Sequence, residues 1–208
     1  MFKERLWHNG VLAILRGFKE DEAIDAAHAL LEAGITALEV TSDSPGAWRI
    51  IETLKKKDPR LVVGAGTVLD TETAHQAIEV GADFLFSPLF IPEMMQIAHR
   101  YGRIAIPGAM TPTEVMRSLE AGADIVKLFP AGSLGVNYLK ELRGPFPYIP
   151  FLPTGGITLE NAPDFIQAGA VGVGMGSSLV KRDWVKEKKF AQITRQAQDL
   201  QERIQKVV

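Results

Sequence analysis

The sequence of 208 residues contains no cysteine, which excludes disulfide bonds, thiolate chemistry and zinc held by cysteine. Histidine is scarce as well, and the few histidines show none of the spacings that metal ligands require. They are His8, His28, His75 and His99. We therefore predict that the protein has no metal site, and no pattern in the chain indicates another cofactor.

The chain also lacks an excess of charge and long apolar runs. A formal net charge of −2 gives no electrostatic reason to expect nucleic acid or an anionic membrane as a partner. No apolar stretch approaches the roughly 20 residues of a membrane span, and the first six residues lack the apolar region of a signal peptide. We therefore expect a cytoplasmic protein. The mixed charges at 181–189 indicate a solvated approach to a helix rather than a nucleic-acid patch.

What the chain does contain is a regular alternation of short apolar runs and segments with helical periodicity. The apolar runs predict eight strands, at 11–16, 36–41, 61–64, 83–87, 103–107, 124–129, 149–153 and 171–175. The periodic segments between them predict helices at 20–33, 45–57, 71–80, 92–101, 111–121, 134–142 and 159–168.

Eight strands that are each followed by a helix predict an α/β protein with a single (β/α)8 TIM barrel. We expect this barrel to be one domain over residues 1–208, with an N-terminal lead-in at 1–10 and a C-terminal helix at 186–207. A doubly wound open sheet is the alternative.

An internal echo favours the barrel and orients it. Four times a helix end is followed by a glycine and then by a strand. These glycines are Gly34, Gly81, Gly122 and Gly169, and five residues after them stand Glu39, Phe86, Lys127 and Gly174. The interior of an eight-stranded barrel is filled by layers of four side chains from alternate strands. We therefore predict that these four positions share one layer near the carboxyl ends of the strands, with Gly174 leaving room for a ligand.

Lys127 carries the strongest chemical signal, because it lies in an apolar run at 123–130 that predicts a buried strand. A buried ammonium is costly, so such a group is paired or has a lowered pKa. A neutral lysine amine is a nucleophile that forms Schiff bases with ketones. The alternative is a lysine that reaches water at the strand end. The matching register of Glu39 favours a carboxylate–amine pair inside a cavity.

Other strand ends offer polar groups to the same cavity. Arg16 could hold a carboxylate through two hydrogen bonds, although an exposed structural arginine is an equal alternative. Thr67 offers a hydroxyl after the small residues at 64–66. Glycine-rich stretches at 153–158 and 174–178 follow the seventh and eighth strands, where barrels of this type bind phosphate. Two turns without a ligand are the alternative for these stretches.

Five of these motifs, in this order, resemble the 2-keto-3-deoxy-6-phosphogluconate (KDPG) aldolase / 4-hydroxy-2-oxoglutarate (KHG) aldolase family. The motifs are Glu39 within 37–41, residues 64–68, residues 106–108, Lys127 within 126–130, and residues 153–157. The resemblance runs from about residue 11 to residue 179. It implies a homotrimeric (β/α)8 lyase, a class I aldolase that needs no metal. The implied reactions release pyruvate together with glyceraldehyde 3-phosphate from KDPG, or with glyoxylate from KHG.

The resemblance also implies roles for single residues. Lys127 would form the Schiff base with the keto acid, and Glu39 would move protons through a water. Arg16 and Thr67 would hold the keto-acid carboxylate. The other implied residues are Thr154 and Phe129 around the imine, and Gly155, Gly156, Gly176 and Ser177 at the phosphate.

One position departs from the gluconate-type members, which carry an arginine four residues after the glutamate. This chain has Asp43 there. Together with Arg16 and residues 44–45, it resembles the 2-keto-3-deoxy-6-phosphogalactonate branch, whereas residues 127–158 look more like the gluconate type, which we prefer. Two functions of other classes stay open: a phosphate-binding isomerase or epimerase, and a non-catalytic sugar-phosphate-binding barrel. The first would rely on paired acids, and the second would have lost the glutamate or the lysine.

Overall fold

The computed structural model describes residues 10–208, so that all but residue 10 of the predicted lead-in lies outside the described residues. The fold is α/β, as predicted. Its strands are β1 Val11–Leu15, β2 Ala37–Thr41, β3 Val62–Gly66, β4 Phe84–Phe86, β5 Ile104–Ile106, β6 Gly108–Ala109, β7 Val126–Leu128, β8 Phe151–Pro153 and β9 Val173–Met175. A strand is found in each of the eight predicted segments. The fifth segment continues beyond Pro107 as a separate short strand, because proline has no N–H to donate to the ladder.

All strand pairs are parallel, and they form two sheets. Six strands have the order β5-β4-β3-β2-β1-β9, and three have the order β6-β7-β8. The first strand therefore pairs with the last, which excludes the doubly wound alternative and its reversal of strand order. The sheets meet across Pro107, between β5 and β6, and at a parallel bridge between Thr154 and Gly174. The result is a curled parallel sheet with all carboxyl ends on one side.

The helices alternate with the strands. They are α1 Glu20–Glu32, α2 Ala47–Lys57, α3 Thr71–Glu79, α4 Pro92–Arg100, α5 Pro112–Glu120, α6 Ala131–Leu134, α7 Val136–Arg143, α8 Ala162–Gln167, α9 Arg182–Lys186 and α10 Phe190–Gln205. Within residues 10–208, none has the length and apolar content needed to cross a membrane.

Several predicted helices differ from the observed ones: those predicted from residues 45 and 159 begin at Ala47 and Ala162, and α6 and α9 are not predicted. Two further differences have a cause in the backbone. Gly135 has a φ of 82° and separates α6 from α7, so the predicted helix at 134–142 begins only at Val136. Lys188 has a φ of 54°, and the C-terminal helix predicted at 186–207 begins only at Phe190. A positive φ is incompatible with a right-handed helix, and periodicity alone does not reveal it.

Side chains in the loops determine where helices begin. Asp70 caps α3 by accepting the N–H of Thr73 at 2.7 Å. Thr111 caps α5, and Glu114 accepts the Thr111 N–H in return at 2.8 Å. These bonds satisfy N–H groups that have no partner inside the helix, so each loop after a strand leads directly into its helix.

Buried apolar side chains form two clusters, one on each face of the curled sheet. The larger lies between strands and helices and takes residues such as Ala13, Leu38 and Val63. The smaller lies on the inner face; its members are Leu12, Ala37, Val62, Phe84, Phe86, Ile104, Ile106, Ile125 and Leu152. Because successive side chains of a strand point to opposite faces, burial of both faces explains why the strands read as continuous apolar runs.

Two of the four repeated segments contain an aspartate, Asp83 or Asp124, that binds the backbone. Asp83 Oδ2 accepts the N–H of Val63 at 2.9 Å, and Asp124 Oδ2 accepts the N–H of Ala105 at 3.0 Å. Each carboxylate stands two residues after an echo glycine and binds the backbone of an earlier strand. Lys55, at the end of α2, donates to both oxygens of Asp83, at 2.8 and 2.6 Å. Asp83 therefore joins α2, β3 and the start of β4.

We expect Asp83→Ala to lower the free energy of unfolding by about 2–4 kcal/mol, because it leaves the Val63 N–H and the Lys55 ammonium without their buried partner. Urea denaturation followed by circular dichroism measures the change. The matched control is Glu52→Ala, which removes an exposed carboxylate of α2 that is bonded to Lys56, next to Lys55. This variant should leave the midpoint of urea denaturation nearly unchanged. Equal destabilisation by the two variants would contradict the role given to Asp83.

Candidate active site

A cavity of about 700 Å³ opens at the carboxyl ends of the strands, where the loops after β1, β7, β8 and β9 meet. Nine of the residues predicted for the site line it: Arg16, Glu39, Lys127, Phe129, Thr154, Gly155, Gly156, Gly176 and Ser177. Thr67 does not line the cavity but contacts Arg16. Within residues 10–208, no group of three or more His, Asp or Glu side chains is placed to hold a metal ion.

Glu39 projects from β2 into the interior and is 1% exposed. Its position depends on Gly66 at the end of β3, because a Cβ on that residue would lie 1.6 Å from Glu39 Oε1. Glu39 Oε2 is buried and has no hydrogen-bond partner in the part of the chain that the structure describes. Buried carboxylate oxygens are normally hydrogen-bonded, so this one is held at a cost in stability.

Lys127 projects from β7 toward the same interior and is 6% exposed. Its Nζ lies 4.0 Å from the centroid of the Phe86 ring and 4.8 Å from that of Phe129. The two aromatic rings attract the ammonium weakly while excluding water from it. The amine is therefore buried in the cavity and does not reach water at the strand end. The structure thus brings Lys127, Glu39 and Phe86 together, as their common register predicts.

The pKa values of Glu39 and Lys127 are both shifted in the direction that favours the neutral form. Burial raises the pKa of Glu39 to about 7, against the opposing charges of Lys127 and Arg16. Burial lowers the pKa of Lys127 to about 8; the carboxylate of Glu39 opposes this shift and the guanidinium of Arg16 reinforces it. Desolvation thus outweighs the mutual attraction in both groups. Near neutral pH the site holds a carboxyl that both gives and accepts protons, beside an amine that is partly neutral.

Arg16 lies at the rim of the cavity, after β1, and is held by two side chains. Its Nη1 donates to Asp43 Oδ2 at 2.6 Å, and its Nη2 donates to Thr67 Oγ1 at 2.7 Å. The side chains of Arg16 and Asp43 are 50% and 52% exposed, so their ion pair is in contact with water. Thr67 has a left-handed backbone, with a φ of 57°, and its carbonyl accepts the Ser42 hydroxyl at 2.9 Å. Together these contacts orient the guanidinium.

The two glycine-rich loops meet at the outer part of the cavity. Gly155 and Gly156 have φ values of +83° and +72°, which other residues adopt only with strain. The hydroxyl of Ser178 donates to the carbonyl of Ile157 at 2.6 Å and so joins the loop after β9 to the loop after β8. The loops therefore form one surface with exposed backbone groups.

Gly174 lines the cavity, but the space beside its missing side chain is taken by a protein atom. A Cβ on this residue would lie 2.4 Å from Thr154 Oγ1, so the threonine hydroxyl, and not a ligand, fills the space left by the missing side chain. Thr154 is buried and donates its hydroxyl to the Leu152 carbonyl at 3.2 Å. Gly174 thus allows Thr154 to lie against the cavity wall.

Sequence reasoning missed Arg182, which lines the cavity from the first residue of α9. Its Nη2 donates to the Arg16 carbonyl at 3.4 Å, and its guanidinium lies beside Gly17. Arg182 lies within the charged run at 181–189, and nothing in the charge pattern separates it from its neighbours. The sequence also gives no sign that Asp43 pairs with Arg16, because 27 residues separate them.

The chain is similar to known proteins of one family. The family model described as KDPG and KHG aldolase matches residues 2–196. A probable 2-dehydro-3-deoxy-6-phosphogalactonate aldolase from Rhizobium meliloti (strain 1021) is 38% identical over 173 residues, which is 82% of each chain. A 2-dehydro-3-deoxy-phosphogluconate aldolase from Pseudomonas aeruginosa is 34% identical over 194 residues, which is 93% of this chain and 88% of the relative.

A solved structure agrees with the sequence relatives. The KDPG aldolase from Legionella pneumophila, with pyruvate captured at low pH as a covalent carbinolamine intermediate, matches the fold with a TM-score of 0.90. The two proteins are 30% identical, over 96% of this chain and 98% of the other. The family model, the two relatives and the fold agree over nearly the whole length. The chain therefore belongs to the KDPG and KHG aldolase family, whose members are lyases.

Proposed function

We propose that this chain is a class I aldolase that reversibly cleaves KDPG to pyruvate and glyceraldehyde 3-phosphate, and that it also cleaves KHG to pyruvate and glyoxylate. The observation that carries the proposal is the pair of Lys127 and Glu39, buried together in a cavity at the carboxyl ends of the strands. No cofactor has a part in the proposed reaction.

We also propose that the strands close into one (β/α)8 barrel that forms a single domain. The pairing of β1 with β9 supports this, as do the two junctions between the sheets, at Pro107 and at the bridge from Thr154 to Gly174. The homotrimer and the cytoplasmic location stay predictions.

Lys127 acts as the nucleophile. Its neutral amine attacks the C2 carbonyl of the keto acid to form a carbinolamine, which loses water and becomes a protonated imine. When the C3–C4 bond breaks, its electron pair moves into the imine, so that the aldehyde leaves and an enamine remains. Protonation of the enamine at C3 and hydrolysis of the imine release pyruvate and restore the amine. The lowered pKa supports this role, because it leaves a useful fraction of the amine uncharged at neutral pH.

Glu39 acts as the acid and the base, through a water molecule. Loss of water from the carbinolamine needs a proton donor, whereas cleavage of the C3–C4 bond needs removal of the C4 hydroxyl proton. A carboxyl with a pKa of about 7 supplies both forms at neutral pH. Its buried Oε2 bonds to no other described residue, so it keeps the hydrogen-bonding capacity that the proposed water would use.

The remaining site residues bind the substrate. Arg16 and Thr67 hold the keto-acid carboxylate: the guanidinium uses N–H groups that Asp43 does not engage, and Thr67, which does not line the cavity, acts through its hydrogen bond to Arg16. Thr154 and Phe129 line the space around the imine and help to exclude water. The phosphate is bound by the two loops, through Gly155, Gly156, Gly176 and Ser177.

A second candidate substrate is the C4 epimer, 2-keto-3-deoxy-6-phosphogalactonate. Asp43 favours it, because this residue pairs with Arg16 where gluconate-type members carry an arginine of their own. The relative from Rhizobium meliloti is named for this substrate. The two other functions, a phosphate-binding isomerase and a non-catalytic barrel, are not favoured, because the chain belongs to an aldolase family and has both Glu39 and Lys127.

Incubation with pyruvate and borohydride should give one reduced adduct per chain on Lys127, because borohydride traps the imine. Intact-protein and peptide mass spectrometry locate the adduct. Lys127→Ala should abolish both adduct and cleavage, and Glu39→Gln should slow cleavage about 10²- to 10⁴-fold, as expected for an acid–base group. Lys140→Ala, which changes an exposed lysine of α7, is the control and should retain both. With folding verified by circular dichroism, near-normal turnover in either site variant would refute the role given to that residue.

The rate of adduct formation should depend on the neutral fraction of Lys127. Because the pKa of this amine is about 8, its neutral fraction rises about tenfold per pH unit below pH 8. Loss of the Glu39 proton above its pKa of about 7 should turn the wild-type rate profile into a bell. Glu39→Gln should remove the fall at high pH and should give a single inflection below pH 8, since the carboxylate raises the pKa of the amine. Rapid trapping with cyanoborohydride between pH 5 and pH 10 is the measurement. An inflection near the pKa of an exposed lysine, or a move to higher pH in the variant, would show that the amine is not desolvated as described.

The ratio of kcat/KM for the two C4 epimers decides between the two phosphorylated substrates. We expect the gluconate epimer to be cleaved faster, because residues 127–158, which include the lysine and the first phosphate loop, resemble the gluconate type. A coupled assay for pyruvate, with each epimer as the sole substrate, gives the ratio. Faster cleavage of the galactonate epimer would replace the first candidate with the second.

A further inference from the structure

The cavity has four charged side chains on its wall, and they differ in how they are engaged. Glu39 and Lys127 lie at its buried end, and Arg16 and Arg182 lie at its rim. The guanidinium of Arg16 is bonded to Asp43 and Thr67. The proposed chemistry uses Glu39, Lys127 and Arg16, whereas it assigns nothing to Arg182.

Arg182 has unused hydrogen-bonding capacity. In the described part of the chain it forms no ion pair, and its hydrogen bond to the Arg16 carbonyl is long, at 3.4 Å. A guanidinium carries five N–H donors and stays charged at any physiological pH, so most of its donors are available to a ligand. The neighbouring Lys181 differs, because its Nζ lies 4.5 Å from the centroid of the Trp184 ring and it does not line the cavity.

The backbone makes room for this guanidinium at the rim. A Cβ on Gly17 would lie 2.5 Å from Arg182 Nη2, so a side chain at that position would displace the arginine. Arg182 follows Gly176 and Ser177 in the chain and lines the same cavity as the loop they form. It therefore shares with that loop the cavity in which the distal group of the substrate is proposed to bind.

A charged donor adds something that the glycine-rich loops lack. Backbone N–H groups carry only partial charges, whereas a phosphate monoester carries between one and two negative charges at neutral pH. A guanidinium donates two parallel N–H bonds to phosphate oxygens and neutralises part of that charge. A substrate that ends in a hydroxyl gains neither interaction.

We propose that Arg182 is a specificity residue that binds the distal phosphate of the substrate and gives the enzyme its preference for phosphorylated keto acids. This inference rests on the proposed function, and it assigns to the phosphate site a charged side chain in addition to the loop amides. A phosphate monoester and a distal carboxylate, as in KHG, are both anions. The phosphate is the better match, because the site combines a guanidinium with several backbone N–H groups.

The test compares Arg182→Gln with Lys181→Gln, which removes the same charge one residue away. We expect Arg182→Gln to lower, about tenfold, the ratio of kcat/KM for the 6-phosphorylated keto acid to that for its unphosphorylated analogue. The loss should appear in KM for the phosphorylated substrate rather than in kcat, because Arg182 is exposed at the rim of the cavity, whereas the imine forms on the buried Lys127. Lys181→Gln should leave the ratio within about twofold of the wild-type value. An unchanged ratio in Arg182→Gln, or an equal loss with KHG, would overturn the assignment to phosphate.

A binding measurement separates this inference from the proposed function. Isothermal titration with inorganic phosphate should show binding about tenfold weaker in Arg182→Gln than in the wild type or in Lys181→Gln. If the wild type cleaves no keto acid, the proposed function fails, but this difference in phosphate binding still supports Arg182 as an anion site. Equal phosphate binding by all three proteins overturns the role of Arg182, whatever the activity.

Discussion

The burial of the Glu39 carboxylate and the Lys127 amine determines the proton affinities of the site. Much of the surrounding structure holds these two groups away from water. Glu39 and Lys127 attract one another, yet each loses more from desolvation than it gains from its partner, so both are shifted toward their neutral forms. Such a pair persists only where the rest of the fold offsets its cost. Here the apolar clusters on the two faces of the curled sheet do so, and Gly66 and the rings of Phe86 and Phe129 define the space that the pair occupies.

The charged groups at the rim of the cavity are in contact with water, unlike those at its buried end. The ion pair of Arg16 and Asp43 is half exposed, so it contributes little to stability, and its value lies in the direction that it gives to a guanidinium. Thr67 serves the same purpose from a backbone conformation that is uncommon for a residue with a side chain. The buried end thus sets proton affinities, whereas the contacts at the rim set the direction of the Arg16 guanidinium. The two parts meet at the wall formed by Phe129 and Thr154.

The parts of the structure that sequence reasoning predicted are those that depend on periodicity. Both faces of the sheet are buried, so the strands are apolar apart from residues such as Glu39 and Lys127, and the repeated glycines give the register that places these two on the same inner face. Single backbone angles escaped prediction, as at Gly135 and Lys188, because one residue with positive φ leaves the hydrophobic pattern unchanged. Arg182 was missed because tertiary contacts decide where a long, exposed side chain points. The balance between burial and the Glu39 charge in the pKa of Lys127 also escapes sequence reasoning, since it depends on the depth of burial.

The division of the strands into two sheets has a consequence for the tuning of the site. Glu39 belongs to the six-stranded sheet and Lys127 to the three-stranded sheet, so the hydrogen-bonded ladder that holds the carboxylate does not include the strand that holds the amine. Their separation is set by the seam between the sheets, at Pro107 and at the bridge from Thr154 to Gly174. Backbone hydrogen bonds cross this seam, from the Asp124 N–H to the Ala105 carbonyl at 3.2 Å and from the Val171 N–H to the Phe151 carbonyl at 3.0 Å. A substitution that moves the seam therefore alters how strongly one charge senses the other, while both reacting groups stay on their own strands.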